Sequence, residues 1–200
     1  MLYRKIALFV AVSFLVCALS AAVFAEEREE RQGAWVSSRI VGVGLLNCTG
    51  CERGILGFAT GLDGGFYSEG RFGLGISADL WATLSGISYG TAATVTPVVR
   101  FFPSERHGGF LQVGAGAGAF ASGVFFLGGI DGSGPAAVLG GGVEIPLRRN
   151  LKLTTNVNGH GLYLGDGEVA GMILVTTGLT FHLAPRYQQA RKRPEPELDW

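Results

Sequence analysis

Few side chains in this sequence could do chemistry, and the tightest group is Cys48-Thr-Gly-Cys51. In an oxidising compartment such a pair could close a small disulfide that fastens a loop. Redox catalysis by a CxxC pair belongs in a thioredoxin-like βαβ setting, which the flanking residues do not provide. Haem attachment requires His after the second Cys, where Glu52 stands, and zinc would need further ligands, none of which cluster nearby. Free or metal-bound thiols remain as alternatives. A second group is spread along the chain: the cations Arg39, Arg100 and Lys152, the anions Asp63, Asp79 and Glu144, and His160. Ser85, Ser88 and Ser122 have no evident His and Asp partners for nucleophilic work.

What could bring such distant charges together is the pattern around them. From Gly33 to Leu183, extended segments of about ten residues alternate with turns, and no helix-period stretch intervenes. Eight strands are predicted: Ala34–Leu46, Ile55–Tyr67, Arg71–Leu84, Ala92–Phe102, Gly109–Phe120, Pro135–Ile145, Leu151–Leu162 and Ala170–Leu183. Successive side chains on a strand point to opposite faces, so parity sorts them. In the third strand Phe72, Leu74, Ile76, Ala78, Leu80, Ala82 and Leu84 oppose Gly73, Gly75, Ser77, Asp79 and Thr83, with Trp81 as the exception. In the seventh, Leu151, Leu153, Thr155 and Val157 oppose Lys152, Thr154, Asn156, Asn158 and His160. The last strand follows suit except at Leu174. The first is weakly patterned, with Ser38, Gly42 and Gly44 on its apolar parity.

All six mid-strand charges fall on the polar parity. A lipid-facing Arg or Lys at a bilayer midplane would cost about 2–4 kcal/mol, so this sorting is what a membrane demands. A soluble barrel would instead wet its polar face and crowd it with Lys, Glu and Asp. Here that face is mostly Gly, Ser, Thr and Asn, with glycine rows at Gly114, Gly116, Gly118 and at Gly140, Gly142. Phe66, Phe72, Phe101 and Phe181 fall near one end of the apolar face, as an interfacial aromatic girdle would. Connections at that end (Ser68–Gly70, Pro103–Gly108, Pro146–Asn150) are short. Those at the other end (Asn47–Gly54, Ser85–Thr91, Ala121–Gly134, Tyr163–Val169) are longer. In the longest, Val124-Phe125-Phe126-Leu127 reads as strand extension or as a loop folding over the mouth. Pro97 lies inside a strand and requires a local bulge.

The ends of the chain suggest the compartment. Arg4 and Lys5 precede an uncharged apolar run, Ile6 to Ser20, and Val23-Phe24-Ala25 offers a cleavage pattern. Residues 1–25 therefore read as a secretory signal peptide, and 26–32 as a charged leader. Removing Arg4 and Lys5 leaves 14 basic against 16 acidic residues, a net charge of −2. No basic excess points to nucleic acid. Residues 184–200, with Arg191-Lys192-Arg193 and a Pro-Glu-Pro-Glu run, read as a disordered tail.

Thr96-Pro-Val-Val-Arg-Phe-Phe102, Leu111-Gln-Val-Gly-Ala-Gly-Ala-Gly118 and Thr177-Gly-Leu-Thr-Phe-His-Leu183 resemble the small eight-stranded outer-membrane barrels of the OmpA/OmpX/OmpW type, over roughly residues 33–183. The resemblance implies an all-β, eight-stranded antiparallel up-and-down transmembrane β-barrel in the outer membrane of a diderm bacterium, with both termini periplasmic. Its partners would be outer-membrane lipid, lipopolysaccharide and, during assembly, the outer-membrane insertion machinery. In the family that machinery reads an aromatic ending the last strand; here the strand ends at Leu183 and the signal would be read internally. Lipid A deacylases of this architecture carry a Ser two residues after the catalytic His, but Leu162 stands two after His160. The expectation is a barrel without cofactor, metal or reaction, structural or interactional in role. Arg39, Asp63, Asp79, Arg100, Glu144, Lys152 and His160 would form a charge network plugging its lumen, since buried charges are tolerated when paired. The rival readings are a narrow channel for small or hydrophobic solutes and, more remotely, an enzyme acting on lipid A.

Overall fold

The structure is a computed structural model that describes residues 33–48, 54–68, 71–85, 88–104, 108–124, 128–148, 150–165 and 167–183. The stretches read as signal peptide, leader and tail (1–32 and 184–200), Cys51 and residues 125–127 lie outside the described residues. Eight strands are present: β1 (Gly33–Cys48), β2 (Ile55–Ser68), β3 (Phe72–Ser85), β4 (Ser88–Phe101), β5 (Gly109–Val124), β6 (Gly128–Arg148), β7 (Leu151–Gly165) and β8 (Glu168–Leu183). Each pairs antiparallel with the next, and β8 closes on β1. Closure satisfies every strand edge inside the wall, which a β-structure in hydrocarbon requires.

Cross-strand partners can be followed once round the barrel. Trp35 leads through Gly65, Gly75, Val98 and Gly114 to Val138, His160 and Met172, and from there back to β1 at Leu46. The strands are therefore steeply tilted. An eight-stranded barrel has an interior just wide enough for side chains to fill.

The alternation holds along the wall. Leu56, Phe58, Leu62 and Phe66 on β2, and Phe72, Leu74, Ile76 and Leu80 on β3, all face outward and are exposed. Phe66, Phe72 and Phe181 are exposed near the end where Gly33 and Leu183 lie, and Phe72 packs on Phe101 with ring centroids 5.1 Å apart.

Four expectations need correction. The strands run further than the alternation indicated. Ser85 pairs with Ser88, Gly123 with Gly129 and Gly165 with Glu168, so most of the three predicted loops is wall. Gly128–Gly134 is so glycine-rich that it shows no parity, yet backbone pairing needs none. The contrast between short and long connections shrinks accordingly.

The weak pattern of β1 also has a cause. Arg39 pairs with Gly178 and Val41 with Thr177, so Ile40 is an extra residue, a bulge. Parity flips there: Ile40 and Val41 are both outward, 64% and 72% exposed, while Leu46 is buried. Gly42 and Gly44 thus belong to the inward face. Thr60 Oγ1 donates to the Arg39 carbonyl at 2.7 Å, supplying a partner at the disturbed ladder.

Pro97 produces no bulge. The β4–β5 partners run Val95↔Ala117 and then Val98↔Gly114, which skips two pairs without shifting register. Proline lacks only a donor, and on the β3 side it still lies opposite Ile76.

Trp81 and Leu174, the two parity exceptions, are not misplaced. Both are fully buried inside the barrel, in one apolar cluster.

Candidate functional site: the filled lumen

The inward parities deliver three layers of side chains. The middle layer is ionic. Arg39 Nη2 donates to Asp63 Oδ1 at 2.6 Å and Nη1 to Asp79 Oδ1 at 2.5 Å. Asp63 Oδ2 accepts from Arg100 Nη2 at 2.7 Å, so one carboxylate bridges two guanidiniums. The Ser77 hydroxyl lies 2.7 Å from Asp63 Oδ1 and 2.9 Å from Asp79 Oδ2, and accepts from Arg39 Nη2 at 3.0 Å. Arg100 Nε donates to Gln112 Oε1 at 3.1 Å. With its amide turned to suit its neighbours, the Asn158 side-chain oxygen accepts from Arg39 Nη1 at 3.2 Å.

The side chains of Arg39, Asp63, Asp79 and Arg100 are fully buried. Two cations face two anions; Arg100 Nε also reaches an oxygen, while Arg39 Nε and Arg100 Nη1 have no hydrogen-bond partner. Burying ions costs several kcal/mol each, recovered only with such geometry and added hydrogen bonds. Gly61 makes the arrangement possible, because a Cβ there would lie 2.5 Å from Arg39 Nη2.

Toward the end that carries Gly33 and Leu183, Trp35, Tyr67, Phe102 and Phe110 form an aromatic floor. The Arg100 guanidinium lies 3.9 Å from the Trp35 ring centroid and 4.6 Å from that of Phe110, a cation–π arrangement that covers the network from below. Beside this floor Glu144 is flanked by Lys152 Nζ at 3.6 Å and His182 Nε2 at 3.5 Å. The His182 ring stacks on Tyr67, 5.5 Å away and 4° from parallel. Thr154, Thr180 and Ser37 link their hydroxyls at 2.6 and 2.9 Å across β7, β8 and β1.

At the opposite end the lumen is apolar, filled by Leu46, Trp81, Phe120, Leu162, Met172 and Leu174 among smaller residues. Trp81 Nε1 donates to the Gly44 carbonyl at 3.0 Å. Gly44 and Gly57 leave the space its ring occupies, since a Cβ at either would come within 2.6 Å of it.

The seven predicted charged residues thus fall into two sets. Arg39, Asp63, Asp79 and Arg100 form one connected group with His160 at its edge, where Nδ1 is 3.2 Å from Thr94 Oγ1 and Nε2 is 3.7 Å from Asp79 Oδ2. Glu144 and Lys152 form a separate pair by the floor. Thr94, His160 and Asp79 have residue types suited to acyl transfer, but all three are buried, and Leu162 occupies the position where the deacylase serine would be. Sequence reasoning missed His182, Ser77 and Gln112 as partners, although all three stand on the inward parity. Cys48 is disulfide-bonded, and Cys51, its expected partner, lies outside the described residues. Among the described residues no group of three or more His, Cys, Asp or Glu could hold a metal ion.

No protein-family model matches the sequence, nor does any curated protein. Solved structures do match in shape. Neisserial surface protein A superposes with a TM-score of 0.56 at 10% identity, over 76% of this chain and 97% of its own. The attachment invasion locus protein of Yersinia pestis, Ail, in complex with the heparin analogue sucrose octasulfate, gives 0.51 at 17% identity, over 75% and 99%. The fold is that of the small eight-stranded outer-membrane β-barrels. Within such a barrel the outward band meets the surroundings and the three inner layers take the place of a core.

Proposed function

We propose that the protein is a closed outer-membrane barrel with a structural or interaction role in the bacterial envelope, its lumen plugged by the ionic layer and the apolar layer in series. One observation carries this reading: Arg39, Asp63, Asp79 and Arg100 converge across the interior with fully buried, mutually paired side chains. A conducting pore would leave such charges wet. The outward band, including Phe58 at 79% exposure, supports insertion in lipid, because a dissolved protein rarely exposes a contiguous apolar patch beyond several hundred Å².

Both ends of the described chain lie together, with Ala34 paired to Leu183, and we place them on the periplasmic side. Lipid and lipopolysaccharide are then the constant partners, and the insertion machinery a transient one. No cofactor and no reaction enter this reading.

The test is conductance in a planar bilayer. The parent protein is expected to show none above background. Because the two layers act in series, Arg100→Ala alone leaves it closed, whereas Arg100→Ala with Trp81→Ala opens it. A steady single-channel current from the parent would overturn the reading in favour of a narrow channel, for which the inward glycine rows of β5 and β6 speak.

A further inference from the structure

Besides the six charges of the lumen, the described residues include four more Asp, Glu, Lys or Arg, and the two ends of the barrel divide them by sign. Arg71 and Arg148 stand at the end that carries Gly33 and Leu183. Asp131 and Glu168 stand toward the opposite end.

Both arginines fall on the inward parity of their segments, Arg71 with Gly73 and Gly75, Arg148 with Gly142 and Glu144, and both are nevertheless exposed. Each has its own local reason. Arg71 precedes β3, and its carbonyl accepts from the Phe102 N–H at 2.8 Å, which ties it to the chain leaving β4. In β6 the register shifts: Pro146 lies opposite Lys152, but Arg148 lies opposite Leu151, so Leu147 is an extra residue. That bulge moves Arg148 from the inward parity of Lys152 to the outward parity of Leu151, beside Leu147 at 52% exposure.

The apolar band ends in rings at the same height. Phe72, the residue after Arg71, packs on Phe101, and Phe66 and Phe181 are exposed at this end too. Aromatic rings mark the boundary between hydrocarbon and headgroups. An arginine beside that boundary can lay its stem on the apolar wall and hold its guanidinium among phosphates, which it matches with paired hydrogen bonds. Arg71 and Arg148 sit on different flanks, with β4 and β5 between them, so they reach separate headgroups.

We propose that Arg71 and Arg148 form a phosphate-binding rim that docks the end carrying both chain termini on anionic phospholipid headgroups. The occupant is a lipid leaflet, because both cations adjoin the outward apolar band and stand too far round the wall to share one small anion. Acids toward the opposite end give the barrel a positive end and a negative end, which fits one leaflet better than the other. This inference rests on the membrane reading and adds the headgroup chemistry to it.

Lipid selectivity of the full chain decides it. The protein is reconstituted in phosphatidylcholine vesicles with a trace of chain-spin-labelled phosphatidylglycerol or phosphatidylcholine. The fraction of label held against the protein is read by electron spin resonance, and heat-modifiable mobility confirms that each variant is folded. One arginine near an anionic headgroup corresponds to about fivefold in local association, which averaging over the whole lipid shell brings to about twofold. The parent is therefore expected to prefer phosphatidylglycerol about twofold, and Arg71→Gln with Arg148→Gln to abolish the preference. Each single change should remove part of it, and the singles serve if the double variant does not fold. Equal retention of the two lipids by the parent overturns the rim and leaves the membrane reading standing. A preference that survives in the variants also overturns it, by placing the attraction elsewhere in the chain. Absence of held label with either lipid would overturn the membrane reading as well.

Discussion

The layer around Arg39 and the layer around Trp81 fill the same lumen by opposite means. The first holds together by directed bonds between ions that are costly to bury, so each member depends on its partners being in place. The second holds by shape and by exclusion of water, and its members are interchangeable within limits of volume. Each has a glycine opposite its largest side chain: Gly61 for the Arg39 guanidinium, Gly44 and Gly57 for the Trp81 ring. The difference teaches that a barrel of this width can be filled with either kind of group, provided neighbouring strands alternate large with absent side chains.

The largest expected effect comes from removing the cation that the ionic layer shares. Arg39→Met leaves Asp79 without its shortest partner and Asp63 with Arg100 as its remaining cation, and should cost about 3–5 kcal/mol in reversible unfolding from detergent or lipid. Changing Asp79 to Leu in the same background removes the stranded carboxylate while Asp63 keeps Arg100, and should recover much of that loss. If the double variant is no better than the single one, the comparison between layers fails, because the cost was not that of stranded charge.

Next in size is the apolar layer. Leu162→Ala should cost about 2–5 kcal/mol, and Leu162→Met less than about 1.5 kcal/mol, in the same unfolding experiment. Equal penalties for the two would mean that volume is not what this layer supplies.

Smaller still is the hydroxyl chain by the floor. Thr180→Val removes a group that meets both Thr154 and Ser37, and should cost about 1–3 kcal/mol through the partners left behind. The least effect is expected from salt. Charges buried this fully are screened far less than surface pairs, so raising ionic strength from about 0.1 M to 1 M should leave the unfolding midpoint of the parent nearly unchanged. A strong drop would place the ionic layer in contact with bulk solvent.

Much of the fold could be read before the structure. The parity of Arg39, Asp63, Asp79, Arg100, Glu144 and Lys152 put each on the inward face, and each is buried there. What parity could not supply was any event that changes it or ignores it. The bulge at Ile40 inverts the second half of β1, so Gly42 and Gly44, read on the apolar parity, belong inside. Trp81 and Leu174 looked like errors in two separate strands, yet they meet in one cluster. Gly128–Gly134 carried no alternation and still forms wall.

By itself, then, the sequence determined which side chains point inward along most strands, because a strand alternates its faces whatever it pairs with. It also determined that the outward set could lie against hydrocarbon. Only the tertiary structure decided that Asp63 would serve both arginines and that Glu144 would stand apart with Lys152 and His182. Those choices depend on register and on the tilt that carries a line of partners from Trp35 round to Leu46. Register is a property of the closed sheet, fixed by how all eight strands fit at once, and no single strand contains it.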